Sequence, residues 1–277
     1  IIKVQTPFDE KGAKYRMFRK FVAAFVAIMM LLMLAPTSAF AAEPSVQEVE
    51  ALIAQIGTVT RENRSAVERA VDAYSQLDDA TKAEVSNFAV LAEAQQILGI
   101  KDSLSKLDVK HDKVEGDYMI TSPYVFQEID KGDCNVIPVV CVDDEDEMPW
   151  SVIMDHYTGD TFIWADSSVV RADENKYTYD SPTFYHSMKE NAKISSGKVK
   201  SMEMLATLAE DFDIALLRDA LSAEETIFRF KGHAPWGDST QYDYILTAAN
   251  RQEITDVLNA YDLMRSVSPE VLRKALA

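Results

Sequence analysis

The hydrophobic period of this chain first changes near Leu107. Before that point apolar residues recur at helical spacing. After it they alternate, with turn residues between the runs. A helix-period segment and a strand-period segment bury different kinds of face, so the pattern specifies an α+β fold. The expected form is a small three-helix bundle, residues 45–98, a linker over 99–111, and an antiparallel β-meander domain over 112–277 with helices packed on one face.

The helical part is readable in detail. Ser45-Val46-Gln47-Glu48 is a capping box, and Val49, Leu52, Ile53 and Ile56 follow on one face. Gly57 suits a C-cap. Ala66, Val67, Ala70, Val71, Tyr74 and Leu77 mark a second helix from about Asn63. A third, opened by Asp79 and broken near Ser86-Asn87, carries Val85, Phe88, Leu91 and Leu98. Gly99 and the polar stretch 101–106 then read as linker.

In the second part, 118–129 reads as one or two strands and 136–142 as a strand, with Pro138 calling for an edge or a bulge. Thr158-Gly159-Asp160 signals a hairpin between strands at 151–157 and 161–171. Met202, Leu205, Ala206, Ala209 and Phe212 have helical spacing, so 201–212 is expected to be helical, with a short helix continuing over 214–221. Residues 225–231 return to strand, with Phe228 and Phe230 on one face and Arg229 and Lys231 on the other. Thr247 caps a long helix, and Ser268-Pro269 opens a last one.

Before the bundle, Arg19 and Lys20 precede fourteen uninterrupted apolar residues, Phe21 to Leu34. Pro36 ends the run, and Ala39-Phe40-Ala41 supplies a small-x-small site. That is the form of a secretory signal over 17–41, and the run is short for a membrane span. An uncleaved anchor is the alternative, and it exports the same part of the chain. Residues 1–16 read as upstream sequence or a fragment edge. Residues 1–41 hold six Lys/Arg against two Asp/Glu, so their removal takes the net charge from −17 to −21. Such a surface repels nucleic acid and anionic lipid. No nucleic-acid partner is expected, and membrane contact only through an uncleaved signal.

Two stretches resemble known families. Residues 49–60 (Val49 to Thr60), Ala73-Tyr74 with Leu77, and Lys82 to Asn87 with Leu91 resemble a helical module that recurs in surface and secreted proteins of Gram-positive anaerobes. The resemblance implies a spacer at the cell surface and carries no catalytic residues. Met148-Pro149-Trp150, Tyr157, Gly159-Asp160, Phe162-Ile163-Trp164, Ala172-Asp173, Tyr177, the run Thr226 to Gly232 and Val257 to Tyr261 together resemble a second family. It is an uncharacterised β-rich domain of secreted proteins and lipoproteins of the same bacteria, matching residues 112–264. The chain departs from it at 134–142 and 213–221. This resemblance implies fold and location only.

Catalytic and metal motifs are absent from the sequence. His111, His156, His186 and His233 show no ligand spacing, and no nucleophile elbow, phosphate loop or dinucleotide fingerprint occurs. No cofactor is expected beyond a weak calcium site at Asp143, Asp144 and Asp146. Those residues lie in a run of five acids without the glycine such loops use, which favours a solvated acidic loop. Export permits a disulfide between Cys134 and Cys141. An extended strand separates them by about 23 Å, so they pair only if the chain folds back at Pro138, and otherwise both stay free. Trp150, Trp164 and Trp236 with Tyr157, Tyr242 and Tyr244 form either an aromatic platform or sheet core. Trp236 stands out, because its loop of Ala234, Pro235 and Gly237 is hard to bury. The candidate ligand contacts are therefore Trp236, His233, Arg229 and Lys231. Arg229 and Lys231 either receive an anionic partner or pair with nearby carboxylates. These features lead to an exported, non-catalytic binding or structural protein facing cell-wall glycan or a surface protein. The alternative is a secreted hydrolase using Asp155, Asp160 and Asp166.

Overall fold

Ser45 opens the first helix as its capping box requires. Its hydroxyl accepts the Glu48 N–H at 3.3 Å, and the Glu48 carboxylate accepts the Ser45 N–H at 2.7 Å. Two donors that a helix start leaves orphaned are thus satisfied. The computed structural model describes residues 43–143, 148–179 and 186–277, so the signal segment lies outside the described residues. Helix α1 (Val46–Ala54) is followed by α2 (Arg64–Ser75), the single turn α3 (Asp79–Lys82) and α4 (Phe88–Leu104). The break falls at Ser86-Asn87, where the Glu50 carboxylate accepts the N–H and the hydroxyl of Ser86 at 2.8 and 2.6 Å.

The expected linker is not one. Helix α4 runs through Gly99 to Leu104, and strand β1 (Asp108–His111) starts four residues later. Ile97, Leu98 and Ile100 are all buried, and burying each is worth about 1.5–3 kcal/mol. That outweighs the roughly 1 kcal/mol cost of a glycine inside a helix. Helix α4 packs against α7 (Ala248–Arg265) and α8 (Pro269–Leu276), and Lys274 of α8 pairs with Glu93 of α4 at 2.7 Å. The N-terminal helices therefore share one apolar core with the rest of residues 44–277. Among the described residues no helix is long and apolar enough to cross a membrane.

Strand β2 (Tyr118–Thr121) leads into helix α5 (Val125–Lys131) rather than the second strand expected there. Then come β3 (Asn135–Val142), β4 (Trp150–Gly159), β5 (Ala165–Ala172), β6 (Asn175–Tyr179), β7 (His186–Lys193) and β8 (Val199–Ala209). Helix α6 (Asp211–Ser222), β9 (Thr226–His233) and β10 (Ser239–Ile245) precede α7. All pairings are antiparallel, but they do not form one meander. A six-stranded sheet has the order β1-β2-β3-β4-β8-β7, and a four-stranded sheet the order β10-β9-β5-β6. The hairpin expected at Thr158-Gly159-Asp160 is absent, because β4 continues through Gly159, which pairs with Ser201 of β8. Residues 160–164 instead carry the chain from one sheet to the other.

Residues 201–209 are strand, not helix. Ser201, Met202, Glu203, Leu205, Ala206 and Thr207 are all buried, so β8 is covered on both faces. A strand of that kind reads as a nearly continuous apolar run, and helical spacing appears in it by accident. Pro138 sits opposite Ile153 in β3. Its carbonyl accepts the Thr121 hydroxyl at 3.1 Å, so its missing N–H falls where β2 has ended and no ladder bond is lost. Beyond that point the Asn250 side chain of α7 stands in for a strand. It accepts the Val136 N–H at 3.0 Å and donates to the Val136 carbonyl at 2.9 Å.

Candidate functional site

The alternation of β9 places its residues as expected. Phe228 and Phe230 are 2 % and 1 % exposed and face the core, where Tyr157 packs against Phe230 with ring centroids 6.1 Å apart. Arg229, Lys231 and His233 occupy the opposite, open face of the four-stranded sheet. Arg229 makes two 2.6 Å hydrogen bonds to Asp243, its cross-strand partner. Those bonds hold the Asp243 carboxyl below its ordinary range and raise the Arg229 guanidinium. Lys231 has no ion-pair partner among the described residues. Of the two basic candidates, one is committed to a neighbour and one is not. A groove of about 760 Å³ runs along this face past Arg229, Arg171 and Lys176 to an acidic rim that includes Glu224 and Glu225.

His233 ends β9. Its Nδ1 lies 3.1 Å from Asp166 Oδ2, and Asp166 Oδ1 accepts the Ser167 hydroxyl at 3.0 Å. Both His233 and Asp166 are open to solvent. The turn that follows is closed by Ala234 N–H to Asp238 O and Gly237 N–H to Ala234 O, each 2.8 Å. Gly237 at φ +94° supplies the left-handed residue. Ala234 is buried and anchors the turn, which leaves Trp236 72 % exposed at its tip. An indole held that far into water is not part of the core.

The crossing loop between the sheets lies beside this turn. Ala165 is paired with Gly232, and Thr240 of β10 donates to the Ile163 carbonyl. Gly232 is required by the approach: a Cβ there would stand 2.1 Å from the Trp164 carbonyl oxygen. Trp164 itself has φ +60°, a left-handed conformation that costs a side-chain-bearing residue about 1–2 kcal/mol. Glu203 offsets that cost. It is 1 % exposed, and its carboxylate accepts the N–H groups of Ile163, of Trp164 at 2.8 Å and of Ala165 at 2.7 Å. Lys189 closes the arrangement, 3.8 Å from Glu203 and donating to the Ala165 carbonyl at 3.1 Å. The loop presents Phe162 and Trp164, both half-buried, with ring centroids 5.3 Å apart.

The other residues singled out by sequence are placed elsewhere. Trp150 starts β4, whereas Trp164 lies past its end in the loop between the sheets. Tyr157 and Tyr244 are core, so the six aromatics do not make one platform. Asp143 accepts the Trp150 indole N–H at 3.2 Å; Asp144 and Asp146 lie outside the described residues. Among the described residues no three His, Cys, Asp or Glu side chains are grouped to hold a metal ion.

Cys134 and Cys141 are free thiols at the two ends of β3, which Pro138 does not fold back, so the disulfide is not formed. Burial raises both, Cys141 to about 11. Asp155 is buried and pushed up to about 7 by that burial. Asp160 is exposed and pairs with Lys200, while Asp166 holds His233. The three carboxylates of the hydrolase alternative thus have separate surroundings. His156 is buried and lowered to about 4 by desolvation, and His111 stacks on Tyr118. The His186 side chain lies outside the described residues.

Sequence reasoning missed Asp166 as a partner of His233, and it missed Glu203 entirely. The available signal for Glu203 was a single acid inside the apolar run Met202 to Leu205. Fold and site define a mixed α/β protein of two antiparallel sheets with an exposed tryptophan at one end of the smaller sheet. Comparison of the chain with protein families, curated proteins and solved structures gave no match.

Proposed function

We propose that this is an exported, non-catalytic binding protein of a Gram-positive cell surface, with its contact surface at the β9–β10 end of the four-stranded sheet. The observation that carries the contact surface is Trp236, an indole 72 % exposed on a turn closed by two backbone hydrogen bonds. Export rests on the segment over 17–41 and on the two family resemblances. In this reading the helices over 45–98 are a module of the spacer type, followed by the β-rich domain. They are joined to it through α4 rather than through a flexible linker.

The partner is cell-wall glycan or a surface protein, and the acidic charge of the chain disfavours nucleic acid. The hydrolase reading names Asp155, Asp160 and Asp166, and these three are not brought together: Asp155 is buried, Asp160 pairs with Lys200 and Asp166 with His233. The test is co-sedimentation of the purified protein with Gram-positive cell walls beside a Trp236→Ala variant. Binding that weakens in the variant supports the reading. Equal sedimentation of both proteins, or of neither, rejects this contact surface.

A further inference from the structure

We infer that the crossing loop and the hairpin turn form one saccharide-binding platform, with Trp164 and Trp236 as its aromatic contacts, Asp166 and His233 as its polar contacts, and Glu203 as the residue that positions Trp164. This rests on the binding reading of the β9–β10 end and names its ligand class.

The argument starts from a conformation that nothing local favours. Glycine adopts φ +60° freely, and tryptophan is a poor choice for it. Strain of this kind persists only where its surroundings over-determine it, and such residues cluster at binding sites. Here the surroundings are explicit. Three consecutive N–H groups, of Ile163, Trp164 and Ala165, converge on one buried carboxylate, and the Trp164 carbonyl packs on Gly232, where no side chain fits. The indole is nevertheless only half-buried, so the core does not consume what the backbone sets up.

The polar groups next to it suit a sugar. Asp166 and His233 are solvent-exposed, mutually hydrogen-bonded and adjacent to both loops. A pyranose presents an apolar C–H face and a rim of hydroxyls. Indole rings take the first, and a carboxylate and an imidazole accept from and donate to the second. A peptide recognised by strand addition needs a free sheet edge. Such a peptide would pair along the edge strand β10, whereas Asp166 and His233 stand on the interior strands β5 and β9.

The test uses a soluble β-1,4-linked N-acetylglucosamine hexamer, followed by tryptophan emission and calorimetry. The protein is expected to bind it saturably, and Trp236→Ala to lower affinity about tenfold. Trp164→Gly removes the ring and relieves the strained backbone together. It is expected to lower affinity about tenfold while Tm holds within about 3 °C or rises. A fall in Tm with affinity unchanged would show that Trp164 is a packing residue and overturn its assignment.

Glu203→Gln is expected to weaken binding in the Trp164 protein but not the residual binding of Trp164→Gly. Equal loss in both backgrounds reduces Glu203 to a structural role. Should Glu203→Gln fail to fold, the Trp164→Gly comparison decides alone. If cell walls sediment the protein in a Trp236-dependent way but the hexamer does not bind, the binding reading stands and the saccharide class falls. The class also falls if a proline-rich peptide binds and displaces the hexamer.

Discussion

The backbone N–H of Trp164 donates at 2.8 Å to the carboxylate of Glu203, a residue 39 positions away in the sequence. The same carboxylate takes the N–H groups on either side, so one side chain satisfies the whole loop where the chain passes between sheets. A buried backbone N–H without an acceptor costs about 1–3 kcal/mol. Glu203→Ala removes the acceptor for three of them, and part of that cost is recovered if water enters. The expected loss is about 3–5 kcal/mol, read as a lower midpoint in urea with an unchanged slope. Glu203→Gln keeps one acceptor oxygen and should lose less. A loss below 1 kcal/mol for the alanine variant would mean that the loop is satisfied in some other way.

Gly232 faces the backbone of that loop. The atoms that a Cβ would meet are the Trp164 carbonyl carbon and oxygen and the Ile163 oxygen, none of which can rotate away as a side chain does. Gly232→Ala is expected to cost at least about 2 kcal/mol. Gly237→Ala, with open space around its Cβ, is strained only by its φ of +94° and should cost less. Thermal melts of the two variants side by side give the order, and the reverse order would contradict the close approach.

Asp155 predicts a pH dependence. Burial raises its folded-state value to about 7 from an ordinary 3.8. Between those values the folded protein keeps a proton that the unfolded chain has released. Stability from this group therefore falls as pH rises from about 4 to about 7 and is flat above. Asp155→Asn stays neutral throughout. Its stability relative to the parent should rise by about 3 kcal/mol between pH 4.5 and pH 8. His156, lowered to about 4 by burial, acts in the opposite sense from about pH 4 to 6.5, and Glu253, raised to about 7, acts in the same sense as Asp155. Both are common to parent and variant and cancel in the difference. Denaturant titrations at pH 4.5, 6 and 8 measure it, and a difference independent of pH would show that Asp155 is not buried as a neutral acid.

The thiols give a direct covalent check. Protein unfolded without reductant should release two thiols per chain to a colorimetric disulfide reagent, because Cys134 and Cys141 are unpaired. In the folded protein at pH 8 both should react slowly. Burial leaves only about a thousandth of Cys141 as thiolate, and Cys134 is held between the N–H and carbonyl of Thr158 at 3.4 and 3.6 Å. No titratable thiol on unfolding would mean that β3 folds back after all.

What could be read from sequence was what neighbours within a few residues decide. The Ser45–Glu48 box, the caps at Thr247 and Ser268, and the inward Phe228 and Phe230 against outward Arg229 and Lys231 are all local rules, and all hold. The same local view placed Trp236 on a loop. Which strands pair, and what a buried group touches, are set by burial across the whole chain. Strand β8 misled because a strand covered on both faces loses its alternation. The hairpin at 158–160 misled because β4 finds a better partner in β8, more than 40 residues on. Arg229 and Lys231 look equivalent in sequence and differ only because Asp243 lies across from one of them. The clasp of Glu203 on the Trp164 loop belongs to the tertiary structure alone. A left-handed tryptophan gains nothing from its neighbours in sequence, and it persists because folding buries one carboxylate beneath it.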